Sequence, residues 1–184
     1  MSLKKHIPNF ITSLRILGTV CIIFLTPLEV PFFIAYTATG VTDVLDGLIA
    51  RVTHSTSSFG ARLDSVADLL FYTITLIKLL PILWARLPSY IWIIVAVILI
   101  LRTTSYIISA IKFHRFASHH TILNKATGVM VFAIPYFLLT PPSFATAFCL
   151  AVCLIGFLST SEDLYIHISS NTYDENVKTV FKIR

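Results

Sequence analysis

Residues 42–69 read TDVLDGLIARVTHSTSSFGARLDSVADL and hold Asp43, Asp46, Asp64 and Asp68, four of the nine acidic residues in the chain. Asp43 and Asp46 are three positions apart, and Asp64 and Asp68 are four apart. On helices these spacings stack each pair on one face, one turn apart. Carboxylates brought that close cannot all stay ionised unaided, so protons or cations must settle among them. The cluster contains no histidine or cysteine. Oxygen donors alone favour hard divalent cations such as Mg²⁺, Mn²⁺ or Ca²⁺ over zinc. Two such ions about 3.5–4 Å apart would suit a four-carboxylate site, an arrangement that commonly serves phosphoryl chemistry. Two other readings compete. The acids could be solvated at helix ends and paired with Arg51 and Arg62, or they could line the cation route of a transporter. The first explains any single aspartate well and the full spacing poorly. The second calls for acids at mid-membrane depth on several helices.

The elements that must carry these residues are oily. Hydrophobic residues make up 56% of the 184 residues and charged residues 12%, about half the roughly 25% of soluble domains. Mean hydropathy is +0.84. The expectation is an all-α, polytopic membrane protein in one domain over residues 1–184. A short interfacial helix covers residues 1–13, a six-helix transmembrane bundle covers 14–165, and a polar cytoplasmic tail covers 166–184. Six apolar segments lie near 14–27, 31–51, 60–83, 89–111, 124–140 and 142–165. Several fall short of the roughly 20 residues that span a bilayer alone. Pro27, Pro31, Pro88, Pro141 and Pro142 punctuate the segment ends, and Pro81 is expected to shorten the third segment. The polar connector VTHSTSSF is short enough to make its flanking helices antiparallel neighbours, so the two aspartate pairs can face each other. Gly47, Ala50 and Gly60 let a helix or a ligand approach closely.

The net charge of +5 would suit a nucleic-acid binder, but the bases punctuate apolar runs instead of forming a patch, and no nucleic-acid partner is expected. With the N-terminus cytoplasmic, Lys4, Lys5, Arg15, Arg51, Arg62, Lys112, Arg115, Lys125, Lys178, Lys182 and Arg184 fall at cytoplasmic ends. Arg86 and Lys78 fall opposite, and Arg102 lies inside a segment. Both termini are then cytoplasmic, as is the aspartate stretch. The basic start lacks a cleavage pattern, so no removed signal peptide is expected. Cys21, Cys149 and Cys153 read as small apolar filler. Trp84, Tyr90 and Trp92 fit an aromatic belt on the far side.

Asp43-x-x-Asp46-Gly47-x-x-Ala50-Arg51, eight residues, Gly60-x-x-x-Asp64-x-x-x-Asp68 resembles the signature of the CDP-alcohol phosphatidyltransferase family at every fixed position and gap. The compact length resembles its prokaryotic members. The resemblance implies that an acceptor hydroxyl attacks the β-phosphorus of CDP-diacylglycerol and releases CMP. It implies that Asp43, Asp46, Asp64 and Asp68 hold two divalent cations, Mg²⁺ or Mn²⁺, with Asp68 as general base. Gly47, Ala50, Arg51 and Gly60 would form the nucleotide site, where Arg51 can neutralise the pyrophosphate. It further implies a homodimer in the cell membrane with its active site on the cytoplasmic side.

The resemblance implies a polar alcohol as the acceptor. Asn9, Thr12 and Arg15 match the Asn-x-x-Thr-x-x-Arg element of the phosphatidylglycerophosphate-forming members, and a capped interfacial helix with a snorkelling arginine explains them equally. An arginine inside an apolar segment is costly, so Arg102 should face a polar cavity. Arg102, Arg115 and Lys125 could bind an acceptor phosphate, which makes glycerol 3-phosphate the expected acceptor, although Arg115 and Lys125 also read as ordinary membrane anchors. Thr103 and Asn124 depart from that subgroup, which carries glutamate and glycine there. Inositol phosphate, inositol and serine therefore stay open. His114, His119 and His120 read as loop residues.

Overall fold

The computed structural model describes residues 7–52, 58–114 and 121–170; the side chains of 7–10, 44, 46–52, 58, 59, 61 and 62 lie outside that description. The described residues form helices and connecting turns, with no strand. The helices are α1 (Ile7–Phe24), α2 (Val30–Val52), α3 (Ser58–Arg86), α4 (Ser89–Phe113), α5 (Ile122–Phe137) and α6 (Pro142–Ser169). The all-α expectation holds, and each apolar segment corresponds to one helix.

Prolines set several boundaries. Pro31 occupies the first turn of α2, where its missing N–H would have no helical partner anyway. Pro88 and Pro141 are the N-caps of α4 and α6, and Pro142 opens α6. Leu28 (φ 66°) turns the chain between α1 and α2, and His114 (φ 54°) closes α4 in the left-handed conformation. His114 is thus a helix-ending residue, as a loop role implies.

Two boundaries differ from expectation. Pro81 does not shorten its helix, because α3 runs through it to Arg86. A proline removes one N–H and crowds the carbonyl one turn back, a defect that apolar helices packed on neighbours tolerate. Residues 7–13 do not form a separate interfacial helix either, since α1 continues through them without a break. Nothing between Asn9 and Leu17 interrupts a helix, so the polar-to-apolar change in composition is not a structural boundary.

Leu63–Arg86, Ser89–Phe113 and Pro142–Ser169 are long and apolar enough to cross a membrane, and Ile11–Phe24 and Ile122–Phe137 are shorter apolar helices. Large apolar side chains such as Phe24, Ile34, Ile93 and Ile111 face outward, as lipid-facing surfaces require.

The chain forms two compact units, Met1–Ala85 and Arg86–Arg184. In the first, α1 buries Thr12, Arg15, Thr19 and Ile22, spaced three, four and three, which is one helical face. Phe32 and Tyr36 of α2 stack at 5.7 Å, and Tyr36 stacks on Phe71 of α3 at 5.2 Å. Lys78 of α3 donates to the Ile23 carbonyl at 2.8 Å, satisfying one of the orphan acceptors at the end of α1.

In the second unit, α6 buries Ala145, Cys149, Val152, Gly156, Ser159 and Asp163 along one stripe. Small residues there allow close helix approach. Cys149 and Cys153 are buried and free, as filler residues should be, whereas Cys21 is exposed. Phe137 stacks on Phe148 at 3.6 Å, and Arg86 donates to the Leu138 carbonyl just beyond α5.

Candidate active site

Three helices of the first unit converge on one guanidinium nitrogen. Arg15 Nη1, from α1, lies 3.1 Å from Asp43 of α2, 2.8 Å from Asp64 and 2.7 Å from Asp68 of α3. The three aspartates each offer a carboxylate oxygen within 4.8 Å of the others. Arg15 is 1% exposed, while the side chains of Asp43, Asp64 and Asp68 are 45%, 45% and 40% exposed. The base sits beneath and the acids face outward.

Local sequence explains the convergence. Asp64 and Asp68 share one face of α3, one turn apart. Arg15 lies on the buried face of α1 with Thr12 and Thr19, and the Thr19 hydroxyl donates back to the Arg15 carbonyl at 2.9 Å. One turn beyond Arg15, a Cβ on Gly18 would stand 2.5 Å from Thr39 Oγ1. The missing side chain lets α1 approach α2 closely enough for Arg15 to reach Asp43. Three carboxylates outnumber one guanidinium, so the cluster attracts a further cation, and an oxygen-only donor set fits a hard divalent ion.

A second polar cluster lies in the other unit, on α4, α5 and α6. Arg102 Nη1 donates to Asp163 Oδ2 at 2.7 Å, and Nη2 donates to Asn124 Oδ1 at 3.2 Å. Asn124 Nδ2 donates to the same Asp163 oxygen at 2.9 Å, and the Ser159 hydroxyl donates to Asn124 Oδ1 at 2.7 Å. The Arg102 guanidinium also lies 5.2 Å from the Tyr106 ring centroid. Further along the same helix faces, the Ser105 hydroxyl and His167 Nδ1 share a hydrogen bond of 2.8 Å. Lys112 donates to the carbonyls of His167 and Ile168 at 3.1 and 2.8 Å, capping the end of α6.

Asp43, Asp64 and Asp68 are brought together as their spacing implied. Asp46, Gly47, Ala50 and Arg51 lie on α2, with their side chains outside the described residues. Gly60 lies near the start of α3. Arg102 does sit among polar groups, and Lys125 is exposed on the first turn of α5. Arg115, His119 and His120 lie outside the described residues. Sequence reasoning missed Asp163, Ser159 and His167, and treated Asn124 only as a departure from a pattern. A signal for Asp163 was present, because an acid in an apolar segment is as costly as Arg102 and calls for a partner.

The family model for CDP-alcohol phosphatidyltransferases matches residues 5–158. A Pseudomonas fluorescens protein named CDP-diacylglycerol--glycerol-3-phosphate 3-phosphatidyltransferase is 31% identical over 149 residues, 76% of this chain and 75% of that relative. Proteins of the same name from Haemophilus influenzae and Wigglesworthia glossinidia brevipalpis are 35% and 33% identical over 99 and 105 residues, with the match spanning 54% and 58% of their lengths. No solved structure matches the chain. The family match runs through both units and through the aspartate motif whose carboxylates the fold gathers. The chain belongs to the CDP-alcohol phosphatidyltransferase family, membrane transferases of phospholipid biosynthesis.

Proposed function

We propose that this protein transfers the phosphatidyl group of CDP-diacylglycerol to glycerol 3-phosphate, giving phosphatidylglycerophosphate and CMP. The observation that carries the reading is the convergence of Asp43, Asp64 and Asp68, within 4.8 Å of one another, in a chain of this family. The names of the relatives support glycerol 3-phosphate as the acceptor.

In this reading Asp43, Asp46, Asp64 and Asp68 hold two divalent cations, Mg²⁺ or Mn²⁺. Cations bound there compensate charge on the phosphate oxygens. Gly47, Ala50 and Gly60 leave room for the cytidine, and Arg51 neutralises the pyrophosphate. The acceptor hydroxyl oxygen bonds to the β-phosphorus, the bond from that phosphorus to the oxygen of CMP breaks, and an Asp68 carboxylate oxygen takes the hydroxyl proton. Arg102, Arg115 and Lys125 bind the acceptor phosphate. The protein works as a homodimer with six membrane-crossing helices, its aspartates at the cytoplasmic face, where the lipid tails of the donor stay in the bilayer while its head reacts.

The test offers purified protein CDP-diacylglycerol with glycerol 3-phosphate, inositol phosphate, inositol or serine and measures CMP. Release with glycerol 3-phosphate, lost in excess chelator and restored by Mg²⁺ or Mn²⁺, is the expected result. Release that persists in chelator sinks the metal-dependent reading, and release with another acceptor alone sinks the choice of acceptor.

A further inference from the structure

Asp163 is 1% exposed, while the Arg102 side chain it pairs with is 26% exposed. The pair therefore has a back and a front, with the acid wholly inside and the guanidinium partly open. A buried ion pair contributes little stability compared with apolar residues of similar volume, so burying Asp163 within an apolar helix calls for a reason other than stability.

The geometry around the pair supplies one. A guanidinium is planar with its donors in a fixed fork, so two acceptors on different nitrogens determine its plane. Asp163 takes Nη1 and Asn124 takes Nη2. Asn124 is itself fixed at both ends. Its backbone N–H donates to Thr121 Oγ1 at 3.2 Å, the cap of α5. Its amide oxygen accepts from Ser159 and Arg102, while its amide nitrogen donates to Asp163. Turning that amide over would set its NH2 against the Arg102 donor and its oxygen against the Asp163 carboxylate, so only one orientation satisfies the group. Ser159 and Asp163 are four positions apart on the buried stripe of α6. Two helices thus aim one arginine of a third.

We propose that Asp163, acting directly and through Asn124, is a positioning residue that sets Arg102 to receive the phosphate monoester of the acceptor. This rests on the acceptor role given to Arg102 above. A phosphate needs its donors aligned in one plane to be held bidentately, and a long side chain left to itself samples many rotamers. Asp163 removes that freedom.

The test is initial-rate kinetics on the full chain in nanodiscs, with CDP-diacylglycerol and glycerol 3-phosphate varied in turn. Asp163→Asn should raise KM for glycerol 3-phosphate about tenfold, the scale of one charge-assisted hydrogen bond, with kcat and KM for CDP-diacylglycerol unchanged. Arg102→Lys should raise the same KM, and adding Asp163→Asn to it should raise it little further, because both act through one group. Should Asp163→Asn fail to fold, Ser159→Ala keeps both charges and loosens Asn124, and a smaller rise confined to the same KM is expected. An unchanged or lowered KM for glycerol 3-phosphate in the folded variants, or KM raised for both substrates alike, overturns the positioning role while the acceptor reading stands. Wild-type protein that releases no CMP with glycerol 3-phosphate overturns the acceptor reading and the positioning role with it.

Discussion

Each unit of this protein builds a polar cluster around one arginine, and the two clusters are inverted. In the first, the guanidinium is the buried partner at 1% exposed, and three half-exposed carboxylates face outward. In the second, the carboxylate is the buried partner at 1% exposed, and the guanidinium is partly open. The buried member in each case is the counter-charge, and the open member is the one exposed at the surface. The first cluster thus offers excess negative charge, suited to cations. The second offers a cation backed by an acid, suited to an anion. The proposed reaction, with its cations and its acceptor phosphate, calls for one of each.

The largest effect that separates them should come from the outward acids. Asp68→Asn should lower CMP release by at least about a hundredfold, the usual range for a lost catalytic proton acceptor, and Asp64→Asn should abolish it by removing a proposed cation ligand, with helix content by circular dichroism unchanged in both. Asn keeps the shape and removes the charge, so a folded variant with full activity would show that the carboxylates at this point serve only as partners of Arg15.

Arg15→Gln should have a smaller and opposite effect on the same cluster. Its Nη1 contacts all three aspartates, and so competes for the oxygens that would hold a divalent ion. Removing that charge should lower the Mn²⁺ concentration for half-saturation severalfold, read by Mn²⁺ electron paramagnetic resonance on the free protein. KM for glycerol 3-phosphate should stay where it is, since the proposed acceptor group, Arg102, is held by Asp163 and Asn124 and not by Arg15. A variant that needs more Mn²⁺ would show instead that Arg15 organises the acids and does not compete with a metal.

The difference between the clusters also explains what could be read from sequence. Asp43, Asp64 and Asp68 were legible because charges in an apolar background are costly and their helical spacing is local. The helix ends near Pro31, Pro88 and Pro142 were legible for the same local reason. Arg15 was legible as the last residue of the Asn-x-x-Thr-x-x-Arg element or as a snorkelling anchor, and not as a partner of the aspartates. Its place among the aspartates depends on how α1 packs against α2 and α3, which spacing within one segment does not carry. Asp163 and Asn124 lie 61 and 22 positions from the arginine they hold, and hydrogen bonds over such separations leave no periodic trace. Pro81 misled because its penalty in water is larger than in a packed apolar helix.

The smallest effect lies in the close approach that brings Arg15 to Asp43. Gly18 is three positions after Arg15, and Thr39 is four before Asp43. A Cβ at Gly18 would stand 2.5 Å from Thr39 Oγ1 but 3.6 Å from Thr39 Cβ. Gly18→Ala gains helix propensity of about 1 kcal/mol and meets overpacking of roughly 1–3 kcal/mol, so a net loss of about 1 kcal/mol is expected in thermal melts in detergent. Gly18→Ala with Thr39→Ala removes the clashing hydroxyl and leaves an ordinary carbon contact, so the loss should disappear. Because the approach sets Arg15 against Asp43, the single variant should also shift Mn²⁺ half-saturation, while KM for glycerol 3-phosphate stays unchanged. A Gly18→Ala protein that melts above wild type would mean that α1 and α2 can separate at no cost, and the placement of Arg15 would then need support from elsewhere in its helix.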